Sequence, residues 1–185
     1  MIIEVYGIAG SGKSTWVKQQ NGMIKVKVSL WLKIRVLLRL LARDLAPFLR
    51  LTFCFKNKDK RSIVFFIFYK LNAAELLARS KKKMLVYDQG PIYNLSRLIY
   101  KSTPDEQKNC QNQLNKLLDR IKKVYDETVY LRCPVDIVLE RIHGREKYHF
   151  ARIVDEQEAR QRLERWESSY ELIREQLNST VIENY

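Results

Sequence analysis

Gly7-Ile8-Ala9-Gly10-Ser11-Gly12-Lys13-Ser14-Thr15 follows the apolar run Ile2 to Tyr6 and satisfies the pattern G-x-x-x-x-G-K-[ST] at every specified position. An apolar, β-branched run that stops at a glycine reads as a buried parallel strand. A helix is expected from about Lys13 to Gln20, ended by Asn21-Gly22. Between strand and helix, glycines allow consecutive N–H groups to converge on phosphate oxygens, and the helix N-terminus adds positive potential. Gly7, Gly10, Ser11, Gly12, Lys13, Ser14 and Thr15 are therefore the candidate nucleotide-binding residues of a Walker A loop. Lys13 is expected to bridge the β- and γ-phosphates of a nucleoside triphosphate, and Ser14 to hold Mg²⁺ through its hydroxyl.

Beyond the loop, strands alternate with helices. Met23 to Val28 alternates Ile24, Val26 and Val28 with lysines, as an edge strand does. A helix from Leu30 carries Leu30, Ile34, Leu37, Leu38, Leu41 and Leu45 on one stripe until Pro47 bends or ends it. Arg35, Arg39 and Arg43 form a second stripe, with Leu32, Val36 and Leu40 near it. The plainest reading is a core helix with solvated arginines; a substrate-facing arginine row, a dimer surface and a membrane contact are the others. Lys56 to Arg61 reads as a charged loop, Ile63 to about Arg79 as an apolar helix, and Met84 to Tyr87 as a central strand closed by the turn Asp88-Gln89-Gly90-Pro91.

Thr103-Pro104-Asp105-Glu106 combines an N-cap, a proline at the first helical position and a capping-box glutamate, opening a helix to about Val124. Thr128 to Leu131 is a fourth strand. Pro134 starts a helix interrupted by Gly144 and a basic stretch, and a final helix shows Ala159, Leu163, Trp166, Tyr170, Ile173 and Leu177 at alternating spacings of four and three. Thr180 to Glu183 is a fifth strand. The pattern implies a mainly parallel sheet covered on both faces, with the ligand beyond the carboxyl ends of its strands.

The chain has 185 residues, 46% of them hydrophobic, with 34 Lys and Arg against 21 Asp and Glu, a formal net charge of +13. One domain fits that length. The charge favours anionic partners without choosing among them. Cys54, Cys110 and Cys133 are widely spaced and include no CxxC pair, so a disulfide framework and a zinc site are not indicated, and a cytoplasmic setting is expected. Ser62 to Tyr69 is too short to cross a bilayer, and the Leu-rich stretch from Leu30 is broken by charges.

Two further groups fit phosphoryl-transfer chemistry. Asp88, at the end of an apolar run, stands where an acidic residue meets the metal, or where a base takes a proton from an acceptor hydroxyl. Arg141 and Arg145, four apart on one helical face and followed by Lys147 and Arg152, can close over the phosphates and neutralise transition-state charge. His143 and His149 lack the partners of a metal site and read as loop histidines. Tyr6 and Trp16 read as packing, with Tyr87 or Tyr93 available to stack on an acceptor ring.

With these elements in order, the chain resembles the nucleoside and nucleotide kinase family of phosphate-loop proteins, to which thymidylate kinase belongs, with shikimate and gluconate kinases as relatives. The resemblance rests on Gly7 to Thr15, Asp88, and the lid-like stretch at about 141–154 with Arg141 and Arg145. It implies an α/β three-layer P-loop NTPase fold, a five-stranded parallel sheet of order 2-3-1-4-5, an acceptor site formed by the helices that follow strand two, a short helical lid over ATP, and Mg²⁺. The implied catalytic set is Lys13, Asp88, Arg141 and Arg145. Relatives that act on nucleosides or nucleotides usually follow the acidic residue with arginine, whereas here Gln89-Gly90-Pro91 follows, so the acceptor is not assigned.

Three function classes are weighed. A small-molecule kinase acting on a nucleoside, nucleotide or sugar-type acceptor uses all three elements. A polynucleotide-directed kinase or basic nucleic-acid-associated NTPase is motivated by the charge, although no nucleic-acid module accompanies it. A regulatory GTPase is disfavoured, because Asn57-Lys58-Asp59 lacks the intervening residue of N-K-x-D and precedes the third strand.

Overall fold

The computed structural model describes residues 1–20, 23–26, 29–78, 84–144, 151 and 153–185. Five parallel strands, β1 (Ile2–Tyr6), β2 (Met23–Lys25), β3 (Met84–Asp88), β4 (Glu127–Arg132) and β5 (Thr180–Glu183), lie in the order β2-β3-β1-β4-β5. The order and the edge position of β2 agree with the sequence reading. β3 is an interior strand, and the centre belongs to β1, every residue of which is buried. Register aligns Val5 with Asp88 and Tyr6 with Tyr130, so β1 and β3 end side by side.

Helices cover both faces. Helix α1 (Lys13–Gln19) lies over Ile3, Val5, Val86, Val129 and Leu131. The larger core lies on the other face, beneath α4 (Lys58–Ala78), α5 (Pro91–Lys101), α6 (Pro104–Val124) and α8 (Glu156–Leu177). There Tyr6 stacks on Tyr130 at 5.3 Å between ring centroids and donates its hydroxyl to Ser179 Oγ at 2.6 Å. Tyr6 is thus a packing residue, as read. The α6 capping box forms with Thr103 and Glu106, and Cys110, Leu114, Leu117, Leu118 and Ile121 are its buried face. Helix α7 (Val135–His143) follows β4 directly.

Three elements differ from expectation. Helix α5 has no counterpart in the sequence reading, which saw only a turn at Gly90-Pro91; Pro91 occupies the first helical turn, where a missing N–H breaks no bond. Helix α4 begins at Lys58, so most of the expected charged loop is helical, and Asn57 Oδ1 caps it by accepting from the Asp59 N–H at 2.7 Å.

The helix from Leu30 is turned the other way round. It runs as α2 (Leu30–Arg39), a π turn (Leu40–Asp44) and α3 (Leu45–Phe53), and Pro47 sits in the first turn of α3 instead of ending the helix. The expected core stripe is exposed, from 72% at Leu30 to 42% at Leu37, while Val36, Leu40 and Leu51 are buried. The side with Val36, Leu40 and Arg39 faces inward, where a carboxylate of α4 meets Arg39, while Arg43 stays exposed. Glu75 of α4 accepts from Arg39, from Arg43 at 2.8 Å and from Arg120 of α6 at 2.5 Å. Asp44, turned inward by the π turn, accepts from Arg120 at 2.8 Å and Asn72 at 2.6 Å. Arg39 is therefore not a solvated stripe residue, although Arg35 is exposed.

Candidate functional site

The loop from Gly7 to Gly12 lies beyond the carboxyl end of β1, and two of its glycines are sterically required. Gly7 has φ 144°, and a Cβ there would collide with the Leu131 carbonyl of β4; Gly12 has φ 90°, and its Cβ would collide with the Asn184 amide. Gly12 N-caps α1 without a side-chain hydrogen bond, and the first turn of α1 carries no acidic residue. The helix N-terminus thus carries no acidic side chain of its own, and its positive end favours an anion. Lys13 Nζ folds back over the loop, donating to the carbonyls of Gly7 at 2.9 Å and Ile8 at 2.7 Å, so its charge sits at the loop's mouth. Ser11 is fully buried, and its carbonyl accepts from Asn184 Nδ2 at 2.6 Å, which ties the loop to the chain beyond β5.

Two expected residues meet this loop. Ser14 Oγ donates to Asp88 Oδ2 at 3.2 Å, a contact set by the shared register of β1 and β3. Arg141, near the end of α7, reaches back to the Gly10 carbonyl at 3.5 Å and to Cys133 Sγ at 3.4 Å. Gly7, Gly10, Ser11, Gly12, Lys13, Ser14, Thr15, Asp88 and Arg141 are therefore gathered at one end of the sheet. Arg145, Lys147, His149 and Arg152, and most of the lid-like stretch, lie outside the described residues. His143 contacts the buried Ala151 carbonyl at 3.3 Å, joining α7 to the start of the segment before α8.

Several residues of this region escaped the sequence reading. Glu4, in the middle of β1, is fully buried, and its Oε1 accepts from the N–H groups of Ile92 at 2.9 Å and Tyr93 at 3.3 Å, at the start of α5. Burial pushes its carboxyl up to about 8, against the lowering effect of those N–H groups and of Lys70. Gly90 is glycine because a Cβ there would lie 2.5 Å from the Glu4 carboxyl. Gln89, at φ 79°, holds a left-handed turn closed by Lys70 of α4, which donates to the Gln89 carbonyl. Burial lowers the Lys70 ammonium, Glu4 raises it, and Arg97 lowers it further. Lys70 and Arg97 stand over the Tyr93 ring, each 5.8 Å from its centre. A cationic, aromatic wall thus borders Asp88. Tyr87 is buried against Tyr125 and packs; Tyr93 is the ring on this wall.

Among the described residues, no group of three or more His, Cys, Asp or Glu could hold a metal ion, and no helix is long and apolar enough to cross a membrane. No protein-family model matches the sequence, and no curated protein matches it. Solved structures do match. Deoxyadenosine kinase from M. mycoides, with dCMP and a flexible dCDP bound, superposes with a TM-score of 0.54 at 16% identity over 100% of this chain and 90% of that one. The same enzyme with dATP bound gives a TM-score of 0.52 at 16% identity, with the same coverage. This chain has a fold like that of a nucleoside kinase. The nucleic-acid and homodimer readings gain no support from these similarities.

Proposed function

We propose that this chain is an ATP-dependent phosphotransferase that moves the γ-phosphoryl group onto a small hydroxyl-bearing acceptor, with a nucleoside or nucleotide as the acceptor class its fold favours. The observation that carries the reading is the Ser14–Asp88 contact at the mouth of a loop that already holds Lys13. A glycine turn that only packs needs no carboxylate from a strand 74 positions away.

In this reading Gly7, Gly10, Ser11, Gly12 and Thr15 belong to the loop that receives the triphosphate, with Lys13 swinging from the Gly7 and Ile8 carbonyls onto the β- and γ-phosphates. The Ser14 hydroxyl and Asp88 carboxylate are hard oxygen donors, and a site with one carboxylate suits an ion that keeps most of its waters, as Mg²⁺ does. Held by Ser14 and Asp88, such an ion would supply charge neutralisation to the triphosphate. Asp88 also borders the wall of Lys70, Tyr93 and Arg97, where it can accept the acceptor's proton. Arg141, near Gly10, neutralises charge that develops on the transferring group, and Arg145 is proposed as its companion on the lid.

The test is transfer from radiolabelled ATP with Mg²⁺ to a panel of nucleosides, nucleoside monophosphates and sugars. One acceptor class should be labelled, with loss of label in Lys13→Ala. If no member of the panel is labelled while ATP still binds, the kinase reading fails.

A further inference from the structure

The arm formed by α2, the π turn and α3 packs on the rest of the molecule through Val36, Leu40, Asp44, Phe48 and Leu51, with Arg39 and Arg43 bound to Glu75. Its opposite side is apolar and open. The stripe from Leu30 to Leu45 is extended by Trp31, Leu49 and Phe53, and each of its large side chains leaves between 38% and 77% of its surface in water. Taking roughly 200 Å² for a large side chain, the stripe presents on the order of 1,000 Å², beyond the few hundred at which a contiguous patch marks an interaction site.

Charge selects the occupant. From Leu30 to Arg61 nine Lys or Arg stand against two Asp. One of those two, Asp44, is buried and bound to Arg120 and Asn72. At the roughly 100° per residue of a helix, Lys33 and Arg35 flank the stripe about a quarter turn to either side. Both are exposed, as are Arg50 and, just past Phe53, Lys56 and Lys58. A second copy docked on this stripe would set these cations against their own counterparts, with no exposed carboxylate anywhere between Leu30 and Phe53 to answer them. An anionic surface with apolar depth answers both features.

We infer that the α2–α3 arm is a docking surface for an anionic lipid bilayer. The arm lies in the plane of the interface, with Trp31, Leu38, Leu41 and Phe53 below the headgroups and Lys33 and Arg35 raised to the lipid phosphates. The side chains of this stripe are not those of the phosphate loop, so docking does not use Lys13, Ser14 or Asp88.

The test is co-sedimentation of the full chain with vesicles of phosphatidylcholine alone and of phosphatidylcholine mixed with phosphatidylserine. Pelleting is expected with the mixed vesicles, weakened by salt, and reduced roughly tenfold or more by Leu38→Glu with Leu41→Glu. These positions are 61% and 59% exposed, so the melting temperature should hold. Trp31→Ser, at 77% exposure, gives an independent loss. Absence of pelleting on mixed vesicles overturns the inference. So does equal pelleting of the variants, which would leave only the chain's diffuse positive charge. A dimer in sedimentation velocity that the same substitutions dissociate also overturns it, because the stripe is then covered by a second copy.

Discussion

Ser14, in the first turn of α1, and Asp88, the last residue of β3, meet through a 3.2 Å hydrogen bond. A hydroxyl from α1 and a carboxylate from the end of β3, next to a lysine-bearing glycine loop, are the two oxygen donors proposed above to hold a nucleotide-bound cation. If so, Asp88→Asn should raise the Mg²⁺ concentration needed for half-maximal phosphoryl transfer and lower the rate by roughly 10²-fold or more, while metal-free nucleotide binding changes little. Full transfer by Asp88→Asn at ordinary Mg²⁺ would remove this residue from the site.

Glu4 makes stability depend on pH in an unusual direction. Its ordinary value of 4.5 rises to about 8 in the fold, so the folded chain holds a proton that the unfolded chain releases. The stability associated with that proton is complete below about 4.5 and is lost as pH rises to about 8. Glu4→Gln keeps an oxygen acceptor for the N–H groups of Ile92 and Tyr93 and removes the titration. The melting temperature of the unaltered chain should therefore fall relative to Glu4→Gln across that window, and parallel curves would refute the assignment.

Gly90 and Glu4 should be coupled. Gly90 has φ −75°, which any residue adopts, so Gly90→Ala acts only through the 2.5 Å approach of its Cβ to the Glu4 carboxyl. In urea denaturation Gly90→Ala should cost about 1–3 kcal/mol as an overpacked core substitution, and much less in a Glu4→Ala background. Additive costs would mean that the two side chains do not compete for one space.

Glu75 is the hub that turns the arm inward, with Arg39, Arg43 and Arg120 around one carboxylate that is 10% exposed. Its replacement by Gln leaves three guanidinium groups around a neutral amide and should cost about 3 kcal/mol or more in chemical denaturation. Burial works against ionisation, but the three arginines prevail and hold this carboxyl below its ordinary range. That contribution is present above the ordinary value of 4.5 and is lost as pH falls through the lower folded value, so the unaltered chain should lose its advantage over Glu75→Gln in acid. A variant of unchanged stability near neutral pH would show that packing alone orients the arm.

Legibility followed sequence distance. The glycine loop, the α6 capping box and the buried stripe of α6 are written in residues a few positions apart, and each was readable without the fold. Helix α5 is hidden in the sequence although Pro91 offers a start signal, because the Asp88-Gln89-Gly90-Pro91 cluster reads first as a turn. The periodicity of the arm points the wrong face inward. Its apolar stripe is the stronger periodic signal, and nothing between Leu30 and Phe53 announces that Glu75 will receive Arg39 and Arg43 and that Arg120 will meet Asp44.

By itself the sequence determined that a strand, a glycine loop and a helix follow one another at Ile2 to Gln19, because strand period, glycine backbone freedom and helix initiation are local properties. Only the tertiary structure decided what faces that loop. The parallel register of β1 with β3 brings Asp88 to Ser14, the return of α7 brings Arg141 to Gly10, and a buried Glu4 organises the turn that carries Asp88. Each of these depends on groups tens of residues apart and on desolvation, which exists only once the core has closed.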